Sequence, residues 1–195
     1  MTQTLSDWLA RYRLHLSFFL FLALVVEWQL NDGGRPHALL DLRDLAPLLG
    51  LVLIATGLLL RSWAAGVIVK REVLATEGPY ALVRHPLYLG SFLIALGLAE
   101  VMEDSLAIVA TALLYWAIYL PVMHREERQL AQRFGAAWHE YAARTDICLP
   151  RSPARPVRGH WSWERWRHNR EWRMWVRAAL MLALIEGWNA WTVAP

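Results

Sequence analysis

LAPLLGLVLIATGLLLRSWAAGV, residues 45–67, is an apolar run of the length that crosses a bilayer as a helix, and it is not alone. A hydrocarbon core takes roughly 20 mainly apolar helical residues. Four further runs approach that standard: 14–30, 86–102, 105–123 and 174–191. The first lacks the small-residue cleavage site of a signal peptide and is read as a retained helix. NDGGRPH (31–37) behind it is a turn cluster, which predicts a helical hairpin. The last is interrupted by Arg177, Glu186 and Asn189, so a buried or re-entrant helix is its alternative reading. The expected fold is therefore an all-α integral membrane protein of about five transmembrane helices. At 195 residues, without internal repeat or linker, residues 1–195 form a single domain.

Basic residues orient such a bundle. With the N-terminus inside and the spans alternating, the inner segments carry 18 of the 20 Lys and Arg, and the outer ones carry Arg35 and Arg43. The positive-inside rule then places the N-terminus in the cytoplasm, together with the polar stretches 70–90 and 122–146. Residues 124–177 hold twelve of the 20 cations, a bias that suits anionic membrane lipids as partners. The sequence pI near 9.3 comes with no nucleic-acid recognition motif, so no nucleic acid is expected. Cys148 is a lone cysteine, which excludes a disulfide framework and a cysteine-rich metal site. The histidines are scattered without paired spacing, and no metal is expected.

Two polar clusters interrupt this apolar background. In GPYALVRHPLYLG (78–90), Gly78 and Pro79 have turn chemistry. Pro86 suits the first position of a helix, which sets His85 at or near its cap, where free N–H groups attract an anion. His85 and Tyr88 fall on one helical face. Gly90 and Gly97 admit either a neighbouring helix or a ligand. Headgroup snorkelling and an interfacial aromatic belt are the plainer reading of the same residues.

The second cluster, HREERQLAQRFGAAWHEYAAR (124–144), follows Pro121. Leu130, Phe134, Trp138 and Tyr141 form one apolar stripe along it, which predicts a helix leaving the membrane and lying on its surface or against the domain. Glu126 and Glu127 stand where that helix emerges. Adjacent helical side chains diverge by about 100°, so one carboxylate can reach inward to a cation while the other faces water or an arginine. The tail 151–173 mixes Pro, Arg and Trp and is expected at headgroup depth, with arginines on anionic lipid.

These two segments, in this order, make residues 70–146 resemble the isoprenylcysteine carboxyl methyltransferase and phospholipid methyltransferase families. Those are integral membrane enzymes that use S-adenosyl-L-methionine. The resemblance implies cofactor contacts from Val73, Leu74, Tyr80, His85, Pro86, Leu87 and Tyr88. It places the cofactor-binding glutamate at Glu126, with Glu127 second, and makes Glu126, Glu127 and His85 the catalytic candidates. The arginine that helps hold prenylcysteine in the eukaryotic enzymes is Val122 here, and Arg125 is the substitute expected to bind substrate. The implied reaction moves a methyl group to a lipid or lipophilic small molecule through its carboxyl, amine or thiol. For a hydroxyl acceptor, Glu127 or His124 would be the candidate base.

Two other readings remain at this point. A sterol-type membrane reductase has a similar C-terminal pattern and would need Lys70, Arg71 and Arg84 for NADPH phosphates. A non-catalytic membrane scaffold needs none of the polar residues. Oligomeric state is not legible in the sequence.

Overall fold

The computed structural model describes residues 45–69, 73–102, 105–150 and 159–193, with residues 7–9, 11, 12, 16, 19 and 39 from the N-terminal part. The expected span 14–30 lies outside them except at Leu16 and Phe19, as do the turn 31–37, Lys70, Arg71 and residues 151–158.

Every regular element among the described residues is helical. The long ones are α1 (Leu45–Val67), α2 (Pro86–Val101) and α3 (Ser105–Phe134). They are followed by α4 (Ala136–Arg144), α5 (Trp163–His168) and α6 (Trp172–Val193). Two of them, α1 and α3, are long and apolar enough to cross a membrane. The other two expected spans among the described residues fall short of that measure. The apolar α2 has 16 residues, about 24 Å of rise. The 22-residue α6 carries Arg177 and Glu186 in its interior.

A glycine seam joins α1 to α2. Gly50 faces Gly97 and Gly57 faces Gly90, so the helices run antiparallel with their backbones nearly touching. A Cβ on Gly57 would stand 2.5 Å from the Gly90 carbonyl oxygen, and one on Gly97 would stand 2.5 Å from that of Gly50. Ile94 and Ile54 occupy the hollows beside the same glycines. In lipid, where apolar burial gives helices little reason to associate, such close approach supplies the dispersion contacts that do. The glycines of α2 thus admit a helix. Ile54, Leu58 and Ile94 form a core with Ala178, and Met174 and Leu182 extend that face of α6.

The 30-residue α3 rises about 45 Å, longer than the ~30 Å hydrocarbon core, so its end projects beyond the apolar layer. Pro121 lies inside it and cannot donate to the carbonyl four residues back, yet the helix continues. The break comes at Gly135 instead. Its φ of 52° is a conformation that favours glycine, and the chain turns there into α4. The surface helix expected over 124–144 is therefore the end of α3 plus α4.

The tail also differs from a simple lipid anchor. Residues 159–175 pack on the C-terminal end of α1, whose last carbonyls have no partner within the helix. The Trp161 indole donates to the Ser62 carbonyl, the Ser162 amide to Gly66, and Arg165 to Val67. The Asn169 amide donates to Ala65 and Ile68. Arg165 also places a cation at the negative end of the helix dipole.

Candidate functional site

Helix α2 begins as the sequence predicts: His85 is the N-cap and Pro86 the first residue. The approach to it is a 3-10 turn, Gly78–Ala81, with Gly78 at a φ of 58°. A short partner fixes this approach. The Arg84 amide donates to the Asp146 carbonyl at 2.8 Å, and the His85 amide to Ile147 at 3.1 Å, across a parallel bridge of Val83 with Asp146. The Tyr141 hydroxyl donates to the Tyr80 carbonyl at 2.8 Å, and the Tyr115 hydroxyl to the Tyr88 carbonyl at 2.7 Å. Segments far apart in sequence thereby converge on residues 80–88.

What they enclose is a cavity of about 580 Å³ where the C-terminal end of α1, the start of α2 and the projecting end of α3 meet. Of the residues singled out in the sequence, it is lined by Val73, Leu74, Tyr80, His85, Pro86, Leu87, Tyr88 and Glu126. The whole stripe Leu130, Phe134, Trp138 and Tyr141 lines it too. The Tyr88 hydroxyl donates to Glu126 at 2.7 Å.

Glu127 points elsewhere, as the angle between adjacent helical residues requires. Its Oε1 lies 3.1 Å from the Arg84 guanidinium and 3.3 Å from His85 Nε2, outside the lining of the cavity. It steadies the two residues that open α2. Arg125 also lies outside the lining, in an ion pair with Asp7. His124 is exposed and not among the lining residues.

Two features bear on what the cavity can receive. Tyr80 is buried, and its hydroxyl finds no hydrogen-bond partner among the described residues. Burial, with Tyr141 beside it, raises its pKa far above the ordinary phenol value, so the group stays protonated and can donate. A buried orphan donor is costly unless something accepts from it. Around it stand a carboxylate (Glu126), cations (Arg84, Arg133) and aromatic faces (Tyr88, Tyr119, Trp138). Such a mixture recognises a ligand bearing both charges and a planar ring. The volume lies within the ~300–1,000 Å³ usual for small-molecule sites.

Arg61, like Tyr119 and Arg133, is a site residue that the sequence did not single out. Its guanidinium lines the cavity and is held at four points. Nε and Nη2 donate to Glu171 at 2.7 and 2.9 Å, and Nη1 to the Leu87 carbonyl at 3.0 Å and to Ser91 Oγ at 2.6 Å. Gly90 makes room for the crossing, since a Cβ there would meet Arg61 Cγ at 2.5 Å. The available signal was a single cation inside an otherwise apolar run, a residue type that is costly in a membrane without a purpose.

Among the described residues no group of three or more His, Cys, Asp or Glu is placed to hold a metal ion.

The sequence model of the phospholipid methyltransferase family matches residues 45–137, the span of α1 to α3 and the start of α4. The chain is 34% identical over 157 residues to the cobalt-zinc-cadmium resistance protein CzcN of Cupriavidus metallidurans, covering 77% of this chain and 69% of that protein. It is 31% identical over 84 residues to the protein-S-isoprenylcysteine O-methyltransferase of Schizosaccharomyces pombe, 43% of this chain and 36% of that enzyme. The B form from Arabidopsis thaliana is 31% identical over 93 residues, 46% of this chain and 47% of the enzyme. No solved structure matches. The matched residues 45–137 hold the first polar cluster and the start of the second, Glu126 included, and the chain belongs to the superfamily of membrane methyltransferases that includes the phospholipid and isoprenylcysteine carboxyl methyltransferases.

Proposed function

We propose that this protein transfers a methyl group from S-adenosyl-L-methionine to a lipid or lipophilic small molecule at the cytoplasmic edge of the bilayer. The observation that carries this reading is the shared cavity: Tyr80, His85 and Tyr88 from one cluster and Glu126 from the other line one space. Donor set and volume fit a zwitterionic nucleoside. Glu126 would receive its cationic part, Tyr80 would donate to one of its acceptors, and Tyr88 or Trp138 would offer a ring face. Arg133, exposed at the same cavity, would attract its carboxylate. Bound there, S-adenosylmethionine supplies a methyl group on a cationic sulfur, and the carbon–sulfur electron pair returns to sulfur when the acceptor bonds to the methyl carbon.

The protein's share of the catalysis is alignment. The backbone around residues 80–88 is fixed by Asp146, Ile147, Tyr141 and Tyr115, so the groups facing the ligand are preset. A carboxylate, amine or thiol needs little further machinery. Glu127 is engaged with Arg84 and His85, which favours a positioning role over a proton-accepting one. The cytoplasmic placement, a five-span count and acceptor entry from the bilayer are part of the proposal. They are supported by the distribution of Lys and Arg and by the cavity lying at the basic end of α1 to α3.

Binding of labelled S-adenosylmethionine and of NADPH to detergent-purified protein tests the reading. The sulfonium ligand alone should bind saturably, and Glu126→Gln and His85→Ala should each weaken it by about tenfold or more. Tight NADPH binding without the sulfonium ligand would identify a reductase, and binding of neither would identify a scaffold. Labelled methyl transfer into membrane lipid extracts then finds the acceptor.

A further inference from the structure

The C-terminal segment carries a second cleft, separate from the cavity. It has a volume of about 700 Å³ and lies at the turn between α5 and α6. Arg167, His168, Arg170 and Arg173 line it with the rings of Trp163 and Trp172, and Glu164 is the one carboxylate in that lining. None of the three guanidinium groups forms an ion pair among the described residues. Three like charges converging on one cleft raise its potential for anions.

The backbone adds an independent observation. Arg170 is the one non-glycine residue among those described with a positive φ, 56°. A glycine or asparagine would hold that turn at lower cost. The chain keeps an arginine where the backbone favours glycine, in the wall of the cleft.

An apolar ridge starts at the same place. Trp172, Val176, Leu180, Leu184 and Trp188 follow one another at four-residue spacing along α6, and all are exposed, as is Trp191. The opposite face, with Met174, Ala178 and Leu182, packs on α1 and α2. From Trp172 to Trp191 the ridge runs about 28 Å at 1.5 Å per residue. That is close to the ~30 Å hydrocarbon thickness, with tryptophans at both ends as at membrane interfaces. A free anion would use the cleft alone. A molecule with an anionic head and acyl chains would use cleft and ridge together, meeting at Trp172.

We propose that the cleft between α5 and α6 is a headgroup site for an anionic phospholipid whose acyl chains lie along the outer ridge of α6. The site does not depend on the methyl-transfer reading, because its readout is lipid retention. Protein purified in mild detergent and freed of co-purifying lipid is given dioleoyl phosphatidylglycerol or dioleoyl phosphatidylcholine, and retained lipid is counted by native mass spectrometry. Phosphatidylglycerol should be retained in preference. Arg167→Gln, Arg170→Gln and Arg173→Gln together should weaken retention by about fivefold per arginine, on the order of a hundredfold in all. Arg170→Gly separates binding from folding: it relieves the backbone, so melting temperature should hold or rise while retention falls. Equal retention of the two lipids, unchanged retention in the triple variant, or displacement of phosphatidylglycerol by excess inorganic phosphate would each overturn the proposal.

Discussion

Glu171→Ala should be strongly destabilising, and its cost can be worked from the contacts. Glu171 is 4% exposed and accepts two of the four hydrogen bonds of Arg61, whose side chain is 17% exposed. Removing the carboxylate leaves the guanidinium with two neutral acceptors, the Leu87 carbonyl and Ser91. Breaking a buried pair from one side costs about 3–5 kcal/mol. Arg61 borders a cavity that water can enter, which relieves part of the charge and points to the lower end, about 3 kcal/mol. At about 2–4 °C per kcal/mol for a chain of this size, the melting temperature should fall by roughly 6–12 °C. The assay is thermal scanning in one detergent at a fixed rate, because unfolding of such proteins is commonly irreversible. Arg61→Met and Glu171→Met, made singly and together, form a double-mutant cycle for the same pair. With no charge left stranded, the double variant should recover most of the loss. A drop below about 2 °C for Glu171→Ala, or a double variant as unstable as the single one, would refute the claim that an uncompensated charge is the cause.

Tyr80→Phe removes a buried hydroxyl that has no partner among the described residues, so stability without ligand should hold or rise. Calorimetry should nonetheless show S-adenosylmethionine affinity lowered by about five- to tenfold, the value of one hydrogen bond. Gly57→Val must push a Cβ against the Gly90 carbonyl and should lower the melting temperature by about 5–10 °C. Gly187→Ala has nothing within 4 Å to meet and should be neutral or stabilising by about 0.5–1 kcal/mol, the helix-propensity gain. Burial pushes the Cys148 thiol up to about 11, so below that pH the reactive thiolate is scarce in the folded state. At pH 8 a maleimide should label the native chain far more slowly than the denatured one, and equal rates would contradict the burial.

The helices were legible because apolar runs and their punctuation act locally. Residues 45–67 form the expected helix end to end, and Pro86 opens the next. The stripe Leu130, Phe134, Trp138 and Tyr141 announced one face of a helix, and that face is the cavity wall. The helix was expected to run on past Pro121, and it does, but the place of the break was not legible: Gly135, inside the stretch read as one helix, adopts a backbone that favours glycine. What the sequence hid most were pairings over long separations. Arg61 and Glu171 are 110 positions apart, and Asp146 and Ile147, which pin the start of α2, form too short a stretch to show any period. The five-helix count rests on apolar length, and among the described residues α1 and α3 alone meet that measure. The 16 residues of α2 are held by a glycine seam, and its length alone does not qualify it as a span.

The Trp- and Arg-rich tail shows how one composition can serve two environments. Its sequence suggested an interfacial segment on lipid, yet Arg165 and Asn169 donate to the carbonyls of Val67 and Ala65 at the end of α1, and the exposed Trp161 indole donates to Ser62 one turn earlier. Those carbonyls sit beside Ile68 and Val69, which line the cavity, and the protein itself supplies donors that lipid tails lack. Arg167, Arg170 and Arg173 leave the same stretch on the side of the second cleft. Arginine suits both sides because its several donors can cap carbonyls or hold an anion, depending on which way the helix presents them. The tail is thus a lid on α1 as well as a basic surface. Glu171, next to Arg170 in sequence, joins the two through its pair with Arg61 in the cavity wall.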